Sequence, residues 1–293
     1  MADPSSSHPW VSEWLLHIRA LDVGIGPRGS TRPGERQGAE YARASFTHAG
    51  LHPQWEEFRS ARSYFHPHLI GCLLILAAFA IFPLWGRVTA GISALLTILS
   101  VVSELQELGL RSNLFRLLVP KAGSQNVYAV IPPKGAHERD LVLVGHVDTQ
   151  HTPLIFRSPG WVRTYIWFIA LAMASFIWQA AVYALAVPFA WSWIWVASIP
   201  TAVCTALTLA LCIEAESTPF TAGASDNATG AGLVMTLAGR IAADAFPHTR
   251  VYAVITGCEE VQHYGMIDFY RRHRGEMKEP RAVVFETLNT GLR

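Results

Sequence analysis

The chain is predicted to fold as an α/β domain, a sheet covered by helices on both faces, interrupted by two transmembrane helical hairpins. Short β-rich runs alternate with helical patterns through its polar parts. Two long apolar blocks separate those parts. One histidine and several acidic residues fall where the predicted strands end.

The polar parts come first. Residues 10–62 contain an amphipathic helical pattern over 10–21, a Gly/Pro/Arg-rich loop over 24–34, and a second helical pattern over 39–49 that Gly50 stops. Within residues 112–156, the runs 125–132 and 140–147 read as neighbouring strands joined by a polar turn. Residues 218–293 hold a Gly-flanked turn around Asp226, a helix over 231–243, a buried strand over 250–256, a helix over 264–274 and a last strand over 281–285.

The apolar blocks account for the composition. Of 293 residues 51% are hydrophobic and only 15% charged, where a soluble domain carries about 25% charged residues. The deficit is concentrated in residues 68–104 and 162–213. A bilayer-crossing helix needs roughly 20 apolar residues. The second block, uncharged from Tyr165 to Ile213 and broken near Pro188, therefore holds two spans, near 165–186 and 189–213. The first makes two shorter ones, near 69–85 and 88–103. Trp85, Trp161, Trp167, Trp191 and Trp193 lie near the proposed ends, where indole rings favour the interface. Buried core helices of a soluble protein are the competing reading, and the length of the second block argues against it.

The lipid bilayer is thus an expected partner. Arg59, Arg62, Arg111, Arg116, Lys121, Arg157 and Arg163 flank one side of the spans against Arg87 opposite. That asymmetry predicts a multi-pass protein of the cell membrane with its polar domain in the cytoplasm. A net charge of +1 implies no attraction to nucleic acid. Cys72, Cys204, Cys212 and Cys258 have neither metal-finger spacing nor an obvious disulfide partner.

Candidate chemistry sits at the predicted strand ends. His146 and Asp148, two apart at the end of an apolar strand, point to the same side, and a carboxylate commonly orients a metal-binding imidazole. Glu259 and Glu260 directly follow another strand, and Glu286 ends a third. Adjacent carboxylates repel unless a cation offsets their charge. Asp226 lies in Gly223-Ala224-Ser225-Asp226-Asn227-Ala228-Thr229-Gly230, where a carboxylate needs a cation or a donor. Ligands of open α/β sheets bind beyond the carboxyl ends of the strands, so the set points to a two-metal hydrolase.

In order and spacing these motifs resemble the co-catalytic dizinc exopeptidases, the family of bacterial leucyl aminopeptidase, aminopeptidase Y and glutamate carboxypeptidase. Thr229 stands where the family's turn usually has Ser, and the opening Pro27-Arg28-Gly29-Ser30 run is also similar. The resemblance implies a three-layer α/β/α domain with a mixed sheet, two Zn2+ ions and a peptide substrate, cleaved in an aminopeptidase-like reaction. It implies His146 and Glu260 on one zinc, Asp226 bridging, Glu286 on the second zinc, Glu259 as general base and Asp148 orienting His146. The desuccinylase-like carboxypeptidases are the related alternative; they usually have a Lys-Gly pattern after the bridging Asp, which is absent here.

Two departures accompany the resemblance. Gln262 stands where a Gly is usual, and the family's last ligand, a late His, has no counterpart before Arg293. The expectation is a truncated form of a longer protein with an incomplete second zinc site. A non-catalytic membrane protein that binds a peptide or protein through this domain is the alternative function. A transporter is disfavoured by the uncharged second block.

Overall fold

The computed structural model describes residues 9–109, 113–189 and 192–288. Residue 112, Arg111, Trp191 and Arg293, all named above, lie outside the described residues. In chain order the helices are α1 (Pro9–Arg19), α2 (Pro33–His48), α3 (His66–Ile81), α4 (Arg87–Leu108), α5 (Pro159–Phe189), α6 (Ile194–Ala197), α7 (Ile199–Ser217), α8 (Thr229–Ala243) and α9 (Tyr264–His273). The strands are β1 (Gln54–Ala61), β2 (Lys121–Ile131), β3 (Arg139–His146), β4 (Thr249–Thr256) and β5 (Arg281–Val284). The chain divides into two compact units, one of residues 1–62, 121–150 and 220–293, the other of 63–120 and 151–219.

The first unit is built on one five-stranded sheet of order β1-β2-β4-β3-β5. β2 runs antiparallel to both β1 and β4, whereas β3 runs parallel to β4 and β5. The sheet is therefore mixed. On one face Val127, Leu143 and Ala253 pack with Phe46 of α2 and Val234 and Met235 of α8. On the other Tyr128, Val142 and Val254 pack with Phe269 of α9. Helices cover both faces because successive strand side chains alternate sides and both sets are apolar. Gly145 marks a close approach of β3 to α8: a Cβ there would come within 2.9 Å of the Ala231 amide.

Two expectations are corrected in this unit. β2 and β3 are not neighbours, because β4 lies between them. Every β4 residue from Val251 to Thr256 is buried, which suits the sheet centre. The predicted polar turn instead runs across the start of β4, where the amides of Lys134, Gly135 and Glu138 donate to the carbonyls of Phe246, Pro247 and His248. β1 was not predicted at all. Its Gln-Trp-Glu-Glu-Phe-Arg run is mostly polar, as an edge strand tolerates.

The second unit is helical. α4, α5 and α7 are long and apolar enough to cross a membrane, while α3, at 16 residues, is apolar but shorter. α5 continues through Pro188 rather than stopping before it, and the last long apolar helix begins at Ile199 after the four-residue α6. Trp167, Leu171, Trp178, Val203 and Leu207 are exposed. Ser93, Thr97, Ser100, Gln179 and Thr205 are fully buried. The hydroxyls of Thr97 and Thr205 donate to carbonyls four residues back, at 2.8 and 2.7 Å. Arg116 is buried against Glu107, so its charge is compensated.

Candidate metal site

β3, β4 and β5 all deliver their carboxyl ends to one edge of the sheet. His146 is the last residue of β3, Glu259 and Glu260 follow β4, and Glu286 follows β5. Asp226 reaches the same place from a wide turn, Ala224–Ala228, ahead of α8 rather than from the helix itself. Asp226 is extended there, at φ −122° and ψ 96°, and the Asp226–Asn227 peptide is cis.

His146 is the centre of the cluster. Its Nδ1 lies 3.1 Å from the Asp148 carbonyl and 3.4 Å from that residue's carboxylate. Its Nε2 lies 3.1 Å from Glu286, 3.3 Å from Asp226 and 3.7 Å from Glu259. Burial pulls the His146 pKa down, but contacts with Asp148, Asp226 and Glu286 outweigh it and hold the pKa well above the ordinary value. Two triads of ligand atoms share this ring, His146 with Asp226 and Glu260, and His146 with Glu259 and Glu286, each within 4.8 Å. The structure thus brings together the five residues singled out as ligands or base. It places Glu286 against His146, whereas the sequence resemblance implies that Glu286 serves the other ion.

Asp148 works from behind. One of its oxygens accepts from Ser30 Oγ at 2.6 Å and the Glu260 amide at 3.1 Å, and the other from the Glu259 amide at 3.0 Å. Burial opposes its ionisation, but the His146 ring and these donors prevail and lower its pKa. Nothing in the sequence alone marks a role for Ser30 or for Gln150, whose amide lies 3.2 Å from Glu260. The same holds for Arg28, fully buried and donating to the carbonyls of Leu21, Gly26, Val147, Ala222 and Gly223. The only signal was the Pro-Arg-Gly-Ser run. His263 Nδ1 lies 2.6 Å from Glu259, and that contact raises its pKa.

The donor set fits a divalent cation. Glu260 Oε1 is buried without a hydrogen-bond partner among the described residues. Burial, reinforced by the charges of Asp148, Asp226 and Glu259, pushes the Glu260 carboxyl up to about 9. A divalent ion reverses such a penalty, and imidazole with carboxylates suits zinc.

Residues 211–288 match peptidase family M28. The matched segment holds Asp226, Glu259, Glu260 and Glu286, and the family is the one the sequence motifs resemble. No curated protein matches the chain significantly. Among solved structures, the leucine aminopeptidase precursor of Bacteroides thetaiotaomicron VPI-5482 is similar, with a TM-score of 0.49, 10% identity, and coverage of 95% of this chain and 62% of that one. Fimbriiglobus ruber glutaminyl cyclase aligns with a TM-score of 0.46 at 14% identity over 95% and 62%. The aminopeptidase of Aneurinibacillus sp. strain AM-1 aligns with a TM-score of 0.44 at 12% identity over 89% and 66%. The chain therefore spans under two thirds of the length of these structures.

Proposed function

We propose that the chain is a membrane-embedded, zinc-dependent, aminopeptidase-like hydrolase of peptide bonds. The observation that carries this is the convergence of His146, Asp226, Glu259, Glu260 and Glu286 at the ends of three parallel strands. His146, Asp226, Glu260 and Glu286 would hold zinc, with Asp226 shared between two ions and Glu286 beside His146. Zinc bound there would polarise the scissile carbonyl and lower the pKa of an attacking water. Glu259 would take the water's proton and pass it to the leaving amine. Asp148 keeps the His146 ring oriented so that Nε2 faces the carboxylates.

The membrane part of the reading rests on α4, α5 and α7 and on their exposed apolar side chains. The basic flanks, Arg116 aside, favour a catalytic domain on the cytoplasmic side. A cysteine at exposed Gln54 should then react with an impermeant maleimide only after permeabilisation; labelling in intact cells would reverse the orientation.

The enzymatic reading is tested by zinc content measured alongside turnover of an aminoacyl reporter panel. Glu259→Gln should keep zinc while losing on the order of 10²–10⁴-fold in kcat, the usual weight of a general base. Wild-type turnover in Glu259→Gln would remove the proposed mechanism.

A further inference from the structure

Glu35 is an acid that the reaction above does not use, yet it is almost fully buried, at 1% exposure. It lies in the first turn of α2. One oxygen accepts from the Thr31 amide at 2.9 Å, a local cap that a neutral side chain could supply. The other crosses to the far end of the sequence and accepts from the Cys258 amide at 2.8 Å and its thiol at 3.3 Å. Gly257 makes room for it, since a Cβ there would stand 2.7 Å from that oxygen.

The neighbouring amides complete a pattern. Cys258 N–H donates to Glu35, and those of Glu259 and Glu260 donate to Asp148. Three successive backbone amides are thus each held by a buried carboxylate. The turn needs such holding. Cys258, Gln262 and His263 all have left-handed backbones, at φ 53°, 78° and 57°, and each costs on the order of 1–3 kcal/mol unless its surroundings over-determine it. Adjacent side chains on a turn point wherever the backbone aims them. A turn that relaxes at Cys258 re-aims Glu259 and Glu260 together.

We infer that Glu35 is a positioning residue: with Asp148 it clamps the Cys258–Glu260 backbone and thereby sets the directions of the proposed base and its neighbouring zinc ligand. This rests on the hydrolase reading for its functional consequence, but the clamp is testable without it. Geometry rather than charge is the operative property. Gln can still accept from Cys258 through its carbonyl, giving up only the Thr31 amide, whereas Asp keeps the carboxyl group but is one methylene too short.

The test compares Glu35→Gln, Glu35→Asp and Glu35→Ala well below their melting temperatures. Amide hydrogen exchange at 258–260 and zinc affinity are measured for each, with kcat and KM on the reporter panel. Glu35→Gln should stay within about threefold of wild type throughout. Glu35→Asp and Glu35→Ala should lose amide protection, bind zinc about 10–100-fold more weakly and lose kcat similarly with little change in KM, the scale at which supporting partners of metal ligands act. Variants that melt earlier but keep wild-type protection, zinc affinity and kcat would reduce Glu35 to a cap of α2 and overturn the inference. So would a Glu35→Asp that matches Glu35→Gln. If the wild type turns over no peptide, the hydrolase reading fails alone, and exchange and zinc affinity still decide the clamp.

Discussion

The two units bury polar groups in opposite ways. In the sheet unit they converge: Arg28, Glu35, His146 and Asp148 are all buried and tied to one edge of the sheet by directed hydrogen bonds. In the helical unit they are small and dispersed, hydroxyls of Ser93, Thr97 and Thr205 inside with Trp167, Leu171 and Val203 outside. The first pattern concentrates ionisable groups at one edge and gives each a directed partner. The second places large apolar side chains outward and small residues between helices, as lipid-facing bundles do. Burial alone therefore does not say what a polar residue is for; its partners do.

The largest effect is expected in the sheet unit. Asp226→Ala removes the proposed shared ligand, and both zinc ions should be lost together with all detectable turnover. Elemental analysis and reporter assays check it, and zinc retained at wild-type stoichiometry would deny Asp226 the shared role. In the helical unit Leu171→Arg puts a charge mid-helix on an exposed apolar face. If that face meets lipid, the change costs about 3 kcal/mol of insertion free energy. If it meets water, stability should move by less than about 0.5 kcal/mol. The membrane-inserted fraction in a glycosylation-reporter assay separates the two.

A smaller effect is expected at Gln179, fully buried with neither amide atom paired among the described residues. Gln179→Leu should stabilise the helical unit by about 1–3 kcal/mol, the penalty of an unsatisfied buried polar group, read as a raised melting temperature in detergent. A lowered one would mean that the amide has a partner in the folded protein.

The gentlest test is titration. Burial, and then the charge of Asp148, pushes the Glu35 carboxyl up to about 8. The folded chain keeps that proton over a range in which the unfolded chain, at about 4.3, has lost it. Its stability contribution is therefore complete below about pH 4.3 and is lost as pH rises through about 8, with a slope near 1.4 kcal/mol per unit. Denaturant midpoints of zinc-free wild type and Glu35→Gln should diverge along that window, and parallel curves would refute the assignment.

Much of the site was legible because its residues sit at ends of apolar runs. Val142 to Val144 announce β3, and His146 closes it; the buried run of β4 points in the same way to Glu259 and Glu260. The apolar helices were legible from length. What stayed hidden depends on contacts between distant residues. Glu35 and Ser30 look like ordinary loop and helix polarity until the fold brings Cys258 and Asp148 to them. β1 is polar enough to read as loop, and nothing local says that β4 would part β2 from β3.

That central strand also sets a schedule for the ribosome. β2 and β3 emerge early, but β4, which must lie between them, follows only after α5, α6 and α7 have been made. At about 5–20 residues per second, the gap between His146 and Glu259 lasts several seconds at least. During it, the nascent β2 and β3 wait with open hydrogen-bonding edges that invite mispairing. The chain is thus committed to a delay in which its sheet is a vulnerable half-product, and its rate of synthesis becomes one of the conditions under which the edge carrying His146 is assembled.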